Sequence, residues 1–201
     1  LYNDDPVTQD ARFCGTTASM CGIEAALFEK NDEKLERGIR EDLMLHAYML
    51  TQSGIPMLYS SDEVGRLNDY SYKDDPDKAA DSRYIHRGAF QWDLAKKRKS
   101  KTSVEGQIFQ TLSRMEQIRR QESVFDKDCD VYTYDVHDDS ILCILRQKGN
   151  ERFIGIFNFG DSEKTAWMQE EGTFRDLITG QTLELKDVAL PAYGFMWCKR
   201  V

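Results

Sequence analysis

The chain has 201 residues, 40% of them hydrophobic and 31% charged, which is typical of a globular protein and excludes a chain that is disordered throughout. Its formal net charge of -8 repels a polyanion, so we expect no nucleic-acid partner. No run of eighteen apolar residues occurs, and we therefore expect no signal peptide and no contact with a membrane.

The five cysteines match neither a zinc pattern nor an even-numbered disulfide framework. Cys143 and Cys198 lie in apolar runs and are predicted to be buried as small hydrophobic side chains. This cysteine usage favours a reducing compartment, and we expect a cytoplasmic protein that has no cofactor and no metal.

The first half of the chain begins with helices. A short helix is predicted to start at Thr16 or Thr17. Asn31 or Asp32 then caps an amphipathic helix that ends at residues 54–56. Its apolar residues recur every three or four positions: Leu35, Ile39, Leu43, Ala47 and Leu50.

Residues 55–59 are apolar and lie between this helix and a polar loop, which predicts a buried parallel strand beginning near Pro56. One parallel strand cannot satisfy its own backbone donors and acceptors, so it needs neighbouring strands that the sequence lacks. The first residue is Leu1 and not Met. We therefore expect that an N-terminal part of the protein is missing from this sequence.

A long polar loop is predicted over residues 61–103. Its basic run at 96–101 is interpreted as a solvated linker and not as a nucleic-acid surface, because it carries no interleaved aromatic residues. A second amphipathic helix follows and places four apolar residues on one face: Ile108, Leu112, Met115 and Ile118.

Beyond Glu122 the hydrophobic period changes from 3.6 to 2, which indicates strands. The predicted segments are 131–136, 141–146, 153–159, 164–168, 173–178, 182–185 and 193–198. Short strands at this spacing are typical of an antiparallel sandwich, here of about seven strands. The change of period predicts two domains, 1–122 and 123–201.

Asp62 and Glu63 follow the predicted strand, at the end where α/β folds gather their ligand sites. Glycoside hydrolysis uses two carboxylates on opposite sides of the scissile bond. Adjacent residues of an extended stretch point to opposite sides, so these two are poorly placed as that pair. We favour a structural role, with one side chain orienting a neighbouring loop and the other solvated.

The long loop concentrates oxygen-bearing side chains: Asn68, Asp69, Tyr70, Tyr72, Asp74, Asp75, Asp77 and Asp81. Three interpretations stay open, namely a calcium site, a solvated loop, or a sugar site in which tyrosines stack on the rings. Arg83 beside Asp81 fits a bidentate ion pair or a clamp on two sugar hydroxyls. His86 is either a ligand contact or a structural hydrogen-bonding group. The sequence contains no nucleophile elbow and no phosphate-binding loop.

Four motifs occur in a specific order along the chain: Gly54–Tyr59, Asp62–Gly65, Leu67–Asp69 and Asp81–Arg87. Three further segments follow at Gly106–Phe109, Ile156–Phe159 and Leu190–Trp197. Together they resemble the family thirteen glycoside hydrolases, the α-amylase family, and within it the amylosucrases and related sucrose hydrolases. The resemblance covers most of the chain.

The resemblance implies an α+β chain in which a C-terminal fragment of a (β/α)8 TIM barrel precedes an antiparallel β-sandwich C-domain. Such enzymes transfer a sugar from sucrose or cut an α-glucan, with retention. Their nucleophilic Asp, acid/base Glu and third Asp all precede the point where this sequence begins. Arg83 matches an arginine that closes the glucosyl pocket through an upstream Asp, and Ser61 stands where the family usually has Gly.

We therefore expect no catalytic residue and no activity in this chain alone. It would supply one wall of a site for sucrose or α-glucan, formed by Asp62, Glu63, Asp69, Asp81, Arg83 and His86. The alternative interpretation is a non-catalytic carbohydrate-binding or accessory module that binds glycan through Trp167 or Trp197. A third interpretation is a purely structural C-domain. We also expect apolar surface to be exposed on the helical half, with two alternatives open: a homodimer covers it, or the loop around residues 61–103 is disordered.

Overall fold

The structure, a computed structural model, describes residues 1–2, 5–9 and 11–201 and has an α+β fold. Five α-helices occur in the described ranges: α1 (Thr17–Met20), α2 (Ile23–Glu29), α3 (Asp32–Thr51), α4 (Trp92–Lys96) and α5 (Val104–Gln121). Short 3-10 turns lie at Asp62–Val64, Ser71–Asp74, Ser82–His86, Lys97–Lys99 and Ser123–Phe125. None of the described helices is long and apolar enough to cross a bilayer.

The two long amphipathic helices predicted from the sequence are confirmed as α3 and α5. Asn31 caps α3, because its Oδ1 accepts a hydrogen bond of 3.0 Å from the Lys34 amide. The apolar face of α3 buries Ile39, Ala47 and Leu50. The four apolar residues expected on one face of α5 are also buried.

The buried strand expected over residues 55–59 is wrong. The structure assigns these residues to neither helix nor strand, and the side chains of Ile55 and Met57 are 91% and 82% exposed. A strand needs a neighbour for its backbone groups, and none pairs with this segment within the described residues. The long polar loop that follows is broken by the short helices and 3-10 turns between residues 62 and 99.

The second half of the chain is a two-sheet antiparallel β structure, as the period of two predicts. Its strands are β1 (Asp130–Tyr134), β2 (Ile141–Lys148), β3 (Glu151–Asn158), β4 (Lys164–Trp167), β5 (Thr173–Asp176), β6 (Thr182–Glu184), β7 (Asp187–Leu190) and β8 (Phe195–Arg200). One sheet has the order β1-β2-β3-β8-β5-β6, and the other pairs β4 with β7. Strand β7 is absent from the sequence-based prediction.

The two sheets share one apolar core. Ile154, Ile156 and Cys198 from the large sheet pack with Ala166 and Val188 from the small one. On the strand next to β3, Trp197 is 0% exposed and its ring lies 5.3 Å from that of Phe125. Trp197 is therefore part of the protein interior and is not available to a glycan.

Arg146 on β2 is a buried cation that serves backbone acceptors. Its Nε donates to the carbonyl of Val124 at 2.6 Å and its Nη1 to that of Thr51 at 2.8 Å. A longer bond of 3.4 Å joins Nη2 to the Asp126 carbonyl. Burial lowers the pKa of this guanidinium, which nevertheless stays charged because its ordinary pKa is so high.

The chain divides into two compact units. One comprises Leu1–Asp42 and Leu58–Gln110, and the other comprises Leu43–Met57 and Thr111–Val201. All six residues expected to form the substrate wall belong to the first unit.

Candidate functional site

Asp81 and Arg83 form a close, two-pronged ion pair at the start of the 3-10 turn Ser82–His86. Arg83 Nε lies 2.8 Å from Asp81 Oδ1, and Arg83 Nη2 lies 2.7 Å from Oδ2. Oδ1 also accepts from the Arg83 backbone amide at 3.0 Å, so the same carboxylate caps the turn. These hydrogen bonds from Arg83 lower the pKa of Asp81 to about 2.

The Arg83 guanidinium is held on one face as well as at its edge. Its Cζ lies 4.3 Å from the centroid of the Tyr2 ring, within the range of a cation–π contact. In the described part of the chain only Nε and Nη2 donate hydrogen bonds, and the side chain is 36% exposed. The two N–H groups of Nη1 are therefore available to a ligand oxygen.

His86 lies in the same cluster. Its ring meets that of Tyr59 edge-on, with the ring centroids 5.6 Å apart. Its Nδ1 is buried and has no hydrogen-bond partner among the described residues. Burial lowers the pKa of His86 and the charge of Arg87 lowers it further, so the imidazole is neutral at pH 7. A neutral imidazole can both donate and accept a hydrogen bond.

Asp69 joins this cluster through the backbone. Its amide donates to the carbonyl of Ile85 at 2.8 Å. Its carboxylate accepts from the hydroxyl and the amide of Ser71, at 2.6 and 3.0 Å, and these bonds lower its pKa. Asp69 also lines a cleft of about 280 Å³, whose wall includes the ion pair between Asp75 and Lys78.

Sequence reasoning missed Arg66, which is only 3% exposed. Its Nη1 donates to the carbonyl of Gly88 at 2.7 Å, and its Nη2 lies 3.6 Å from Asp69 Oδ2. A Cβ atom at position 88 would overlap Arg66 Nη2 and approach Asp69 Oδ2 to 2.7 Å. The glycine is needed for this close approach, but only the three-dimensional structure reveals it.

Asp62 and Glu63 make separate contacts, the first with a residue 45 positions earlier and the second within its own turn. They lie in a 3-10 turn, so the extended backbone expected for them is wrong. Asp62 Oδ2 accepts from the Thr17 hydroxyl at 3.2 Å, and Glu63 Oε2 accepts from the Ser61 amide at 2.8 Å. Ser61 itself has a φ of 83°, in the left-handed region that favours glycine.

Asn68 fastens this segment to the N-terminal helices of the same unit. Its Oδ1 accepts from the Thr16 amide at 2.9 Å, and its own amide donates to the Ser19 hydroxyl at 2.9 Å. Asn68 Nδ2 donates to Glu24 at 3.2 Å. The partners are separated by 44 to 52 residues, which hides this network from local sequence patterns.

The arrangement can therefore bind hydroxyl groups, but it does not resemble a bond-breaking centre. Arg83 and His86 lie in one 3-10 turn that Asp81 caps, and Asp69 is bonded to the backbone of that turn, whereas Asp62 and Glu63 are bonded to Thr17 and Ser61. Within residues 1–2, 5–9 and 11–201, no group of three or more His, Cys, Asp or Glu side chains is placed to hold a metal ion.

Comparison with solved structures shows a shared fold with amylases and related enzymes. The chain superimposes on AmyP in complex with maltose with a TM-score of 0.66 and 13% identity, covering 81% of this chain and 35% of that one. A cyclic α-maltosyl-(1→6)-maltose hydrolase from Arthrobacter globiformis superimposes with a TM-score of 0.57 and 19% identity, covering 84% of this chain and 32% of that one. A trehalulose synthase mutant superimposes with a TM-score of 0.59 and 16% identity, covering 80% of this chain and 38% of that one.

The chain thus spans about a third of the length of these enzymes. No protein-family model matches it. At such low identity the likeness establishes the fold alone.

Proposed function

We propose that this chain is part of an α-amylase-family glycosidase or transglucosidase that acts on sucrose or an α-glucan. Residues 1–122 would belong to its catalytic barrel and 123–201 would form its β-sandwich C-domain. The ordered motifs from Gly54 to Arg87 support this assignment, and so does the shared fold with amylases.

The pairing of Arg83 with Asp81 is the observation that carries the proposal. The pair holds the planar guanidinium in a fixed direction and leaves Nη1 to donate to a sugar hydroxyl or to a carboxylate from another part of the protein. His86 and Asp69 supply a neutral imidazole and a carboxylate nearby, which suits a neutral, hydroxyl-rich substrate.

This wall would bind and orient the substrate, and it would perform no proton transfer or nucleophilic attack. A retaining glycosidase needs a nucleophilic carboxylate and an acid/base carboxylate about 5 Å apart. Asp62 accepts a hydrogen bond from Thr17 and Glu63 accepts one from the Ser61 amide, and we assign both carboxylates a structural role. The bond-breaking carboxylates would come from a part of the protein outside this sequence.

The first test is to assay the purified 201-residue chain on sucrose and on amylose. We expect no release of glucose or fructose above a blank, and clear turnover would refute the assignment of the catalytic groups to another segment. The second test is to determine the protein sequence that the same reading frame encodes upstream of residue 1. A barrel with an Asp, a Glu and a His-Asp pair in that order supports the proposal, and its absence contradicts it.

The Arg83 side chain is tested in the full-length protein. Arg83→Lys should lower kcat/KM for sucrose or α-glucan by about a hundredfold, since Lys lacks the planar fork. Arg114→Lys is the matched control, because Arg114 is an exposed arginine in the other unit that bonds the carbonyls of Leu177 and Ile178. Equal effects of the two substitutions would exclude a special role for Arg83.

A further inference from the structure

A second feature outside this wall is the surface around Trp167, at the end of β4. Its indole is 61% exposed and makes no ring contact among the described residues. The other tryptophan of this unit, Trp197, is fully buried between Phe125 and Phe153. A single exposed aromatic residue is ordinary on a protein surface, and what distinguishes Trp167 is the cleft that it lines.

Trp167 lines a cleft of about 400 Å³, a volume within the range of small-molecule sites. We call it the Trp167 cleft, and it is lined by Tyr134, Asp135, His137, Trp167, Met168, Gln169 and Asp187. Two aromatic residues are thus combined with two carboxylates, a side-chain amide and an imidazole.

The strand register places a carboxylate next to the indole. Trp167 lies directly opposite Asp187 in the β4–β7 pair, so both side chains project from the same face of the small sheet. Both are exposed, whereas their neighbours Ala166 and Val188 point into the core.

The opposite rim of the cleft is held in place by hydrogen bonds. The backbone amide of Gln169 donates to the Tyr134 hydroxyl at 3.2 Å, and the Tyr134 ring packs against the core. On the turn after β1, the His137 amide donates to Asp135 Oδ1 at 2.8 Å, with His137 itself at a φ of 57°. These bonds order the segments that line the cleft beside the indole.

The cleft continues into a second one of about 640 Å³. The two clefts share Met168, Gln169 and Asp187, and the residues that the second adds include Glu171, Glu184 and Lys186. Because the two clefts adjoin at shared residues, a ligand with more than one sugar ring can contact both, which favours an extended ligand.

We infer that the Trp167 cleft binds a neutral oligosaccharide chain at a site separate from the Arg83 wall. One face of a pyranose ring presents C–H groups that match the indole, and its rim presents hydroxyls that match carboxylates and an amide. The two carboxylates disfavour an anionic ligand. A cage for an organic cation needs several aromatic faces around one point, whereas here the Trp167 indole is exposed and the Tyr134 ring packs against the core.

The choice of an α-glucan as the probe rests on the proposed function. The experiment is a titration of the ¹⁵N-labelled 201-residue chain with maltoheptaose, followed through the indole N–H signals of Trp92, Trp167 and Trp197. Phenylalanine substitutions assign the three signals. We expect a saturable shift of the Trp167 signal and none of the Trp197 signal.

Calorimetry on variants supplies the second measurement. Trp167→Ala should weaken maltoheptaose binding about tenfold or more, whereas Trp92→Ala, which removes another exposed tryptophan, should leave it unchanged. The NMR shift of the Trp167 signal reports on this cleft, which separates binding here from binding at the proposed substrate wall. Binding retained in Trp92→Ala but lost in Trp167→Ala therefore supports the inference whether or not the full protein is a glucosidase.

Three outcomes would overturn the inference. They are the absence of any saturable shift, a shift confined to Trp92, and tighter binding of tetramethylammonium than of maltoheptaose. Tighter binding of cellohexaose than of maltoheptaose would retain the site but reject the α-glucan as its ligand, and so would count against the proposed function instead.

Discussion

The carboxylate of Asp81 accepts hydrogen bonds from both the backbone and the side chain of Arg83, two residues further along the chain. One short segment thus fixes the direction of its own guanidinium before any substrate arrives. Such preorganisation reduces the conformational entropy that a long cationic side chain loses when it binds a ligand.

The first prediction concerns the titration of Asp81, whose pKa is lowered to about 2 by its bonds from Arg83. Replacing the planar fork with an ammonium group in Arg83→Lys should raise this pKa towards its ordinary value of 3.8. The pKa is measured by following the carbon-13 NMR signal of the Asp81 carboxyl as a function of pH. Arg87→Lys is the control and should change it little, because Arg87 contributes least to the shift.

The same shift gives a pH dependence with a definite sign. The pKa of Asp81 is lower in the folded chain than in the unfolded one, so its contribution to stability is present above pH 4. That contribution is lost as the pH falls towards 2. A pKa of Asp81 that stays near 2 in Arg83→Lys would contradict the assigned cause.

The second prediction concerns Ser61, whose left-handed backbone and buried hydroxyl are both unfavourable. Its φ is 83°, and its Oγ is buried without a hydrogen-bond partner among the described residues. Ser61→Gly should raise the free energy of unfolding by about 1 kcal/mol, because glycine adopts this conformation without a steric penalty. Urea denaturation measures the change.

Ser61→Ala is the matched control for this change. It removes the unpaired hydroxyl but keeps the Cβ atom, so it should recover only a small part of the gain. A Ser61→Gly variant that is no more stable than Ser61→Ala would show that the backbone conformation carries no measurable strain.

The third prediction concerns the close approach of Gly88 to Arg66. Gly88→Ala places a methyl group where Arg66 Nη2 lies and should destabilise the chain by about 1–3 kcal/mol. In the background Arg66→Ala the guanidinium is absent, and the same substitution should cost far less. A cost that is equal in both backgrounds would mean that the two residues do not compete for space.

The fourth prediction concerns thiol reactivity. All five cysteines are free. Burial raises the pKa of Cys143 to about 12 and raises those of Cys21 and Cys198 further, so these thiols hold almost no thiolate at pH 8. Iodoacetamide labelling of the folded chain should therefore modify Cys14 first and Cys129 more slowly.

The three buried cysteines should label only after unfolding in guanidinium, as peptide mass spectrometry can show. Cys14→Ser is the control and should remove the fast reaction alone. Labelling of Cys143 in the folded protein at the rate of Cys14 would contradict the burial of its strand.

Local periodicity predicts most of the fold because the burial pattern of a strand or helix repeats within a few residues. Leu112 and Ile118 on α5, and Ile154 and Ile156 on β3, illustrate this. Strand β7 escapes prediction because only Val188 and Leu190 carry its buried face. A pattern of two residues is too short to separate from chance.

The segment 55–59 shows the opposite limit. Its apolar residues suit a buried strand, yet burial depends on neighbours that the segment's own sequence does not encode. The site has the same limit. The Asp81–Arg83 pair spans two positions and is visible in the sequence, whereas the Arg66–Gly88 contact spans 22 and is not.

The buried cation Arg146 has a consequence for synthesis on the ribosome. It bonds the carbonyl of Thr51, which lies 95 residues earlier in the chain. Thr51 therefore leaves the exit tunnel long before its donor is translated, and its carbonyl must be hydrated or shielded in the interval. The end of helix α3 can therefore reach its final hydrogen-bonded state only after strand β2 has emerged.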